Sequence, residues 1–414
     1  MRRLYLLCLI LLGPLLTCRA HNTVSVDLTI RPENQTFACR YELGASFGQA
    51  RGSCTFNLNR KFRLAQASSP HLRDYTATPF FDAFQQDTLL RITLRFESPV
   101  RHEKITLRYG GAIPERFRTD SLAEFTASAN WLPNLPDHEY DLVRYQLTVH
   151  TPAGYEVIST NEPRRARAGT FVFAGLAPNI ELTAVAARRF TRLRAPQGVV
   201  RVYKANGAPH HRDSLLLRDA TAIVAYHNRI IGRQDPIRRF RILLPGTNRN
   251  AFGLLDNCAV ITYSDFDTRK PADLLILAHE ISHKWWGWGR WNTRENWLNE
   301  GFAAYSGLLY LRAAGDTASY RKELAKYRAS AAQAPVSLLR FDAGKDMGYF
   351  RPVIYHKGAL ALADLHARLG DEAFFQLLSA TAAARVATTE AFLRLVERHT
   401  DRATRDWLVA RLSS

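Results

Sequence analysis

The sequence predicts an α+β, multidomain chain: an N-terminal antiparallel β-sandwich or bowl followed by a mainly helical domain. Three observations carry that reading. The chain has 414 residues, enough for two or three domains rather than one. From about residue 23 to 190, apolar and polar residues alternate in short runs broken by Pro and Gly, the period of half-buried strands. Beyond about residue 190 the apolar spacing lengthens to that of helices. Composition agrees. With 46% hydrophobic and 23% charged residues the chain can bury a large core, which excludes a disordered, collagen-like or polytopic membrane protein.

The first twenty residues stand apart. Met1-Arg2-Arg3 precedes an apolar stretch over 4–17, too short to span a bilayer and patterned like a secretory signal. Cleavage after Cys18-Arg19-Ala20 is expected. Leu15-Leu16-Thr17-Cys18 also resembles a bacterial lipobox, which gives lipid attachment at Cys18 as the alternative. Either route predicts an exported protein, periplasmic or extracellular, with no integral membrane segment after processing. The chain then divides into a signal at 1–20, a sheet domain at 21–190 and a second domain at 191–414. In an oxidising compartment Cys39 and Cys54 could close a disulfide or remain two buried thiols. Cys258 reads as a small core residue.

Within the first domain, 24–30, 90–96 and 104–109 alternate most cleanly, with similar runs at 144–150, 170–173 and 181–185. Helical spacing predicts helices over 215–231, 272–286, 295–314, 319–332, 358–369, 372–384 and 389–399. Strands at 240–244 and 258–263 interrupt them. The formal charge of +18 suggests a polyanionic partner. Only nine of the 56 basic residues are lysine, however, and the arginines are scattered along the chain. Nucleic acid is therefore not predicted as a partner, and no feature sets an oligomeric state.

The chemistry concentrates in one helix. His279-Glu280-Ile281-Ser282-His283 lies within an apolar helical run. Residues four apart stack on one helix face, so both imidazoles can reach one ion. Glu280 is then placed to contact a water rather than the metal. By itself the motif also fits a helix carrying two structurally satisfied histidines. A catalytic zinc site needs a third protein ligand and an open fourth position. Trp285, Trp286, Trp288 and Trp291 follow the motif and are expected to pack in the core.

Downstream comes Trp297-Leu298-Asn299-Glu300-Gly301-Phe302-Ala303. Here the sequence resembles the M1 aminopeptidase family of gluzincins, in which such a segment follows the two-histidine helix. Sixteen residues separate His283 from Glu300, against eighteen in the family. The segment 251–263 resembles the family's Gly-Ala-Met-Glu-Asn substrate strand, with Gly253, Asp256 and Asn257 at its marked positions. Val353-Ile354-Tyr355-His356-Lys357-Gly358 resembles its Tyr-x-Lys-Gly segment, and Asn130-Trp131-Leu132-Pro133 a Trp-x-Pro element of its N-terminal sheet domain.

The resemblance implies a thermolysin-like catalytic domain in a short form without the family's large C-terminal helical domain. It implies one Zn2+ per chain with His279, His283 and Glu300 as ligands. Glu280 would be the base toward a water activated at the metal, and Tyr355 the donor to the oxyanion. Gly253, Asp256 and Asn257 would bind a peptide substrate by its free amine. Asp256 is one methylene shorter than the family's glutamate, a loss of about 1.5 Å in reach. The expected activity is removal of N-terminal residues from peptides. The alternatives are an endopeptidase or other amide hydrolase on the same scaffold, and a catalytically silent peptide-binding relative.

Overall fold

Alternation makes the first strand. In β1 (Thr23–Arg31) every second side chain is buried, and the strand runs antiparallel to β2 (Thr36–Asn59), with Leu28 opposite Cys39. The computed structural model describes residues 22–82, 87–136, 138–196, 198–247, 260–262 and 266–414. β3 (Arg63–Ser68) and β4 (Leu72–Asp82) pair with opposite halves of the long β5 (Asp87–Ala112). The ladder between β2 and β5 shifts register between Ser46 and Ser53. There the two strands bend. Fifteen extended residues would span about 50 Å, yet the rings of Tyr41 and Phe56 lie 6.4 Å apart, so β2 folds back across its own core. One pairing is parallel, β1 against Leu142–His150, a direction that alternation alone does not encode.

The interior of this sheet holds Phe37, Tyr41, Phe125, Trp131 and Phe173. Trp131 donates its indole N–H to the Leu182 carbonyl, and Tyr109 its hydroxyl to that of Trp131. Cys39 and Cys54 are free, buried thiols. Of the two readings left open by the sequence, the structure has the buried thiols, and burial pushes both up to about 12. Cys258 lies outside the described residues.

A small four-stranded sheet, which includes Leu122–Phe125 and Ala184–Ala187, leads to a third sheet. The third sheet sets Phe190–Arg194 antiparallel to Val200–Ala205, followed by Phe240–Leu244 and Val260–Thr262 in parallel. Leu122, Val185, Phe190, Tyr203 and Leu243 form a hydrophobic joint between these two sheets. Arg241 reinforces it, donating to the Ser159 carbonyl at 3.0 Å and meeting Glu162 at 2.7 Å.

The remaining chain is α1 (His211–Ile230), α2 (Pro271–Ser282), α3 (Trp297–Ala313), α4 (Thr317–Ala332), α5 (Ala343–Asp346), α6 (Gly358–Ala383), α7 (Thr389–His399) and α8 (Arg402–Leu412). α3 is buried from Trp297 to Leu311 and is the axis around which the others pack. α6 breaks at Gly370, whose φ of 76° is left-handed, where the sequence reads two helices. The strands at 190–205 and helix α8 go unread in the sequence. Among the described residues no helix is long and apolar enough to cross a membrane.

Candidate metal centre and active site

Two close helix contacts build the site. A methyl added at Gly307 would lie 2.9 Å from the Leu275 carbonyl oxygen, so α3 touches the backbone of α2 just before His279. One added at Gly301 would lie 3.1 Å from the Ile354 carbonyl oxygen and the Gly358 Cα. These glycines let α3 lie against α2 on one side and the segment carrying Tyr355 on the other. Between α2 and α3, Asn299 accepts from the Gly289 N–H and donates to the Gly289 carbonyl, both at 2.8 Å. That two-way amide pairing pins the shortened connection onto α3.

His279, His283 and Glu300 consequently converge. The Nε2 atoms of the two histidines are 3.2 Å apart. Glu300 Oε2 stands 3.3 Å from His279 Nε2 and 3.7 Å from His283 Nε2. Ligand atoms bound tetrahedrally to zinc at 2.0–2.1 Å would be about 3.3 Å from one another. The observed triangle has that size. His283 Nδ1 lies 2.8 Å from the Trp286 carbonyl; a carbonyl only accepts, so Nδ1 holds the proton and Nε2 presents its lone pair. Glu300 Oε2 is buried and accepts no well-formed hydrogen bond among the described residues. A lone pair and a carboxylate oxygen turned toward each other in a buried place are what a cation would satisfy.

The two glutamates differ. Glu280 Oε2 is 4.0 Å from His283 Nε2, beside the triangle rather than at its third corner, although its carboxylate also lies within reach of the histidine pair. Burial works to raise the Glu300 carboxyl, but the imidazoles and the Tyr355 hydroxyl outweigh it and hold it below the usual carboxylate range. An anionic Glu300 completes a two-nitrogen, one-oxygen donor set, the chemistry of a catalytic zinc site.

Tyr355 sits in a π-helical turn, Arg351–Lys357, at the start of α6, a distortion that recurs at functional sites. Its ring is parallel to that of His279 at 6.0 Å, and its hydroxyl interacts with the Glu300 carboxylate. Burial, then Glu300, drive the phenol well above its ordinary range, so it stays a proton donor. Arg351, one turn earlier, lies 4.4 Å above the same ring.

The structure thus brings together His279, Glu280, His283, Glu300 and Tyr355. Gly253, Asp256 and Asn257 lie outside the described residues. The tryptophans divide: Trp285 and Trp286 are core, whereas Trp288 and Trp291 are partly exposed. Trp291 stacks on Tyr140 of the sheet domain at 5.0 Å and meets Phe350 at 6.2 Å. Tyr140 lies within electrostatic range of both Glu300 and Glu280. No local pattern in the sequence marks Tyr140, which reaches the centre only through the docking of the two domains. Arg351 had a weak signal, its one-turn spacing from Tyr355.

Fold and site together set a helix-borne histidine pair beside a downstream glutamate. Residues 255–403 match the peptidase family M1 domain. The chain is 31% identical over 147 residues to endoplasmic reticulum aminopeptidase 2 of Bos taurus, a stretch that is 30% of this chain and 15% of that protein. A two-domain M1 zinc metallopeptidase variant crystallised with L-tryptophan superposes with a TM-score of 0.68 at 20% identity, covering 96% of this chain and 95% of that one. An M1 zinc metallopeptidase from Deinococcus radiodurans gives 0.66 at 20% identity, over 95% and 93%.

Proposed function

We propose that this chain is an exported zinc aminopeptidase, hydrolysing the first peptide bond of its substrates. The observation that supports it best is the His279–His283–Glu300 triangle with Glu280 beside it and the Tyr355 hydroxyl at its edge. His279, His283 and Glu300 would hold zinc, which when bound supplies Lewis acidity toward a carbonyl and toward water. Glu280 accepts a proton from the attacking water and passes it to the leaving amine. The Tyr355 hydroxyl donates to the oxygen on which negative charge develops, the kind of donor whose removal costs about 3 kcal/mol in a barrier. Export, by signal cleavage or by lipid attachment at Cys18, belongs to the same reading; the intact mass of the mature protein distinguishes the two routes.

The decisive experiment pairs metal analysis with a substrate comparison. Purified protein should carry about one zinc per chain, and His279→Ala should lose it. The zinc-loaded protein should cleave free-amine peptides and leave their N-acetylated counterparts intact. Equal turnover of both would make it an endopeptidase or general amide hydrolase. Stoichiometric zinc retained by His279→Ala would overturn the ligand set.

A further inference from the structure

The π-helical turn that carries Tyr355 is gripped on two sides, and the two grips differ in kind. Toward α3 the contact is made by backbone: a methyl at Gly301 would meet the Ile354 carbonyl oxygen and the Gly358 Cα at 3.1 Å. Glycine lets the two backbones come close but offers no side chain to fix how the turn is rotated against the helix. Toward α4 the contact is made by side chains with direction. The His356 ring lies on the Tyr327 ring, centroids 4.4 Å apart and planes 18° from parallel. Its Nδ1 is 2.8 Å from the Ser330 hydroxyl. Tyr327 and Ser330 stand three residues apart, on one face of α4. The next residue of the turn, Lys357, donates to the Val336 carbonyl at 3.0 Å, in the segment after α4. Burial, then the charge of Arg351, brings the His356 imidazole down to about 4, so the stacked ring is uncharged at neutral pH.

We propose that His356 is a positioning residue for the reaction: it fixes the rotation of the π-helical turn against α4 and thereby holds the Tyr355 hydroxyl at the Glu300 corner. The proposal rests on the peptidase reading above. Tyr355 and His356 are adjacent on one turn, so the turn cannot rotate at one of them without carrying the other. The phenol reaches Glu300 and lies parallel to His279, while the imidazole meets α4. Arg351 also packs on the Tyr355 ring, at 4.4 Å. A cation over a ring face tolerates a range of offsets, whereas a hydrogen bond is confined in distance and angle. The bond to Ser330 is therefore the contact that sets the register of the turn. Misplacing a group at the reacting centre by about 1 Å costs as much as 10²-fold in rate.

The test uses zinc-loaded protein and a free-amine tripeptide. His356→Leu, which loses both contacts, should lower kcat about tenfold with KM and zinc content parental. Ser330→Ala, which loses only the hydrogen bond, should lower kcat about threefold. His356→Asn keeps a polar atom at the position of Nδ1 and should recover most of the rate. With Tyr355→Phe already in place, His356→Leu should lower kcat no further. Crystal structures of the parent and of His356→Leu should differ in the distance from the Tyr355 hydroxyl to Glu300, longer in the variant. Parental kcat in both single variants, an equal fall with and without the Tyr355 hydroxyl, or an unmoved hydroxyl would overturn the positioning role and leave the peptidase in place. A parent that cleaves nothing, with the hydroxyl displaced in His356→Leu, does the opposite: the peptidase reading fails and His356 stands as the group that places Tyr355.

Discussion

Helix α3 contributes to two histidine–oxygen clusters, and they are built in opposite ways. At its C-terminal half, Tyr305 meets His366 Nδ1 at 2.7 Å, His366 Nε2 meets Asp371 Oδ1 at 2.8 Å, and Arg312 donates to that oxygen at 2.9 Å. The Tyr305 hydroxyl donates to one ring nitrogen and the other ring nitrogen donates to Asp371, so a neutral imidazole is satisfied at both ends. The ring is stacked on Phe374 at 4.3 Å. At the N-terminal half, the Nε2 lone pair of His283 and the Glu300 carboxylate face each other, and Glu300 Oε2 has no well-formed hydrogen bond among the described residues. The fold closes a polar cluster on itself where nothing else must enter. A carboxylate oxygen and an imidazole lone pair left facing each other mark a place that a cation would satisfy.

The largest effect that would sharpen this contrast is at Glu280. Glu280→Gln keeps the shape of the side chain but cannot take a proton, and should lower turnover by a factor of about 10²–10⁴. Zinc content measured on the same preparation should remain that of the parent, because the triangle excludes this carboxylate. Loss of the metal together with the activity would place Glu280 among the ligands and redraw the open cluster.

How much of this contrast is legible in the sequence depends on distance along the chain. The four-residue spacing of His279 and His283 is a property of one helix, so it is visible in five letters. Glu300 requires the match to Trp297–Ala303, since nothing local says that α3 lies against α2; the contact at Gly307 that makes it so is tertiary. Tyr355 is found the same way, but its π-helical setting is not. Tyr140 belongs to a domain whose strands alternate plainly, yet its nearness to the centre arises from a domain contact. Alternation reports which face is buried and is silent about what a loop will meet. The strands at 190–205 escape for a related reason: short, mixed runs such as Phe190–Arg194 carry too few alternations to stand out from turns.

His227 gives an intermediate case and the next effect in size. It is wholly buried on α1, with Nε2 2.9 Å from the Ala278 carbonyl and Nδ1 facing no partner among the described residues. Burial pulls its pKa down to about 4, against about 6.5 in an unfolded chain. Between these values the unfolded state takes up a proton that the folded state refuses, so stability falls as pH falls through this window and is unaffected above it. At pH 5 the loss should reach about 2 kcal/mol. His227→Gln retains a donor for Ala278 and does not titrate. Denaturant unfolding at pH 7 and pH 5 should show a smaller loss in the variant than in the parent. Parallel losses would mean that the unpaired nitrogen is protonated in the fold after all.

The smallest effect tests the closed cluster itself. Tyr305→Phe removes the donor to His366 Nδ1 while keeping the ring that lies 5.7 Å from Phe374. The imidazole then has one satisfied nitrogen, like His227, and unfolding free energy should fall by about 1 kcal/mol. Because Tyr305 lies more than one turn beyond Glu300 on a rigid, fully buried helix, zinc content and kcat should stay at parental values. A variant that loses stability and keeps its metal shows that the two clusters on α3 are energetically separate. One that loses zinc as well shows the opposite: that the self-contained network holds Glu300 at its corner of the open one, and that α3 transmits the difference along the stretch of helix between them.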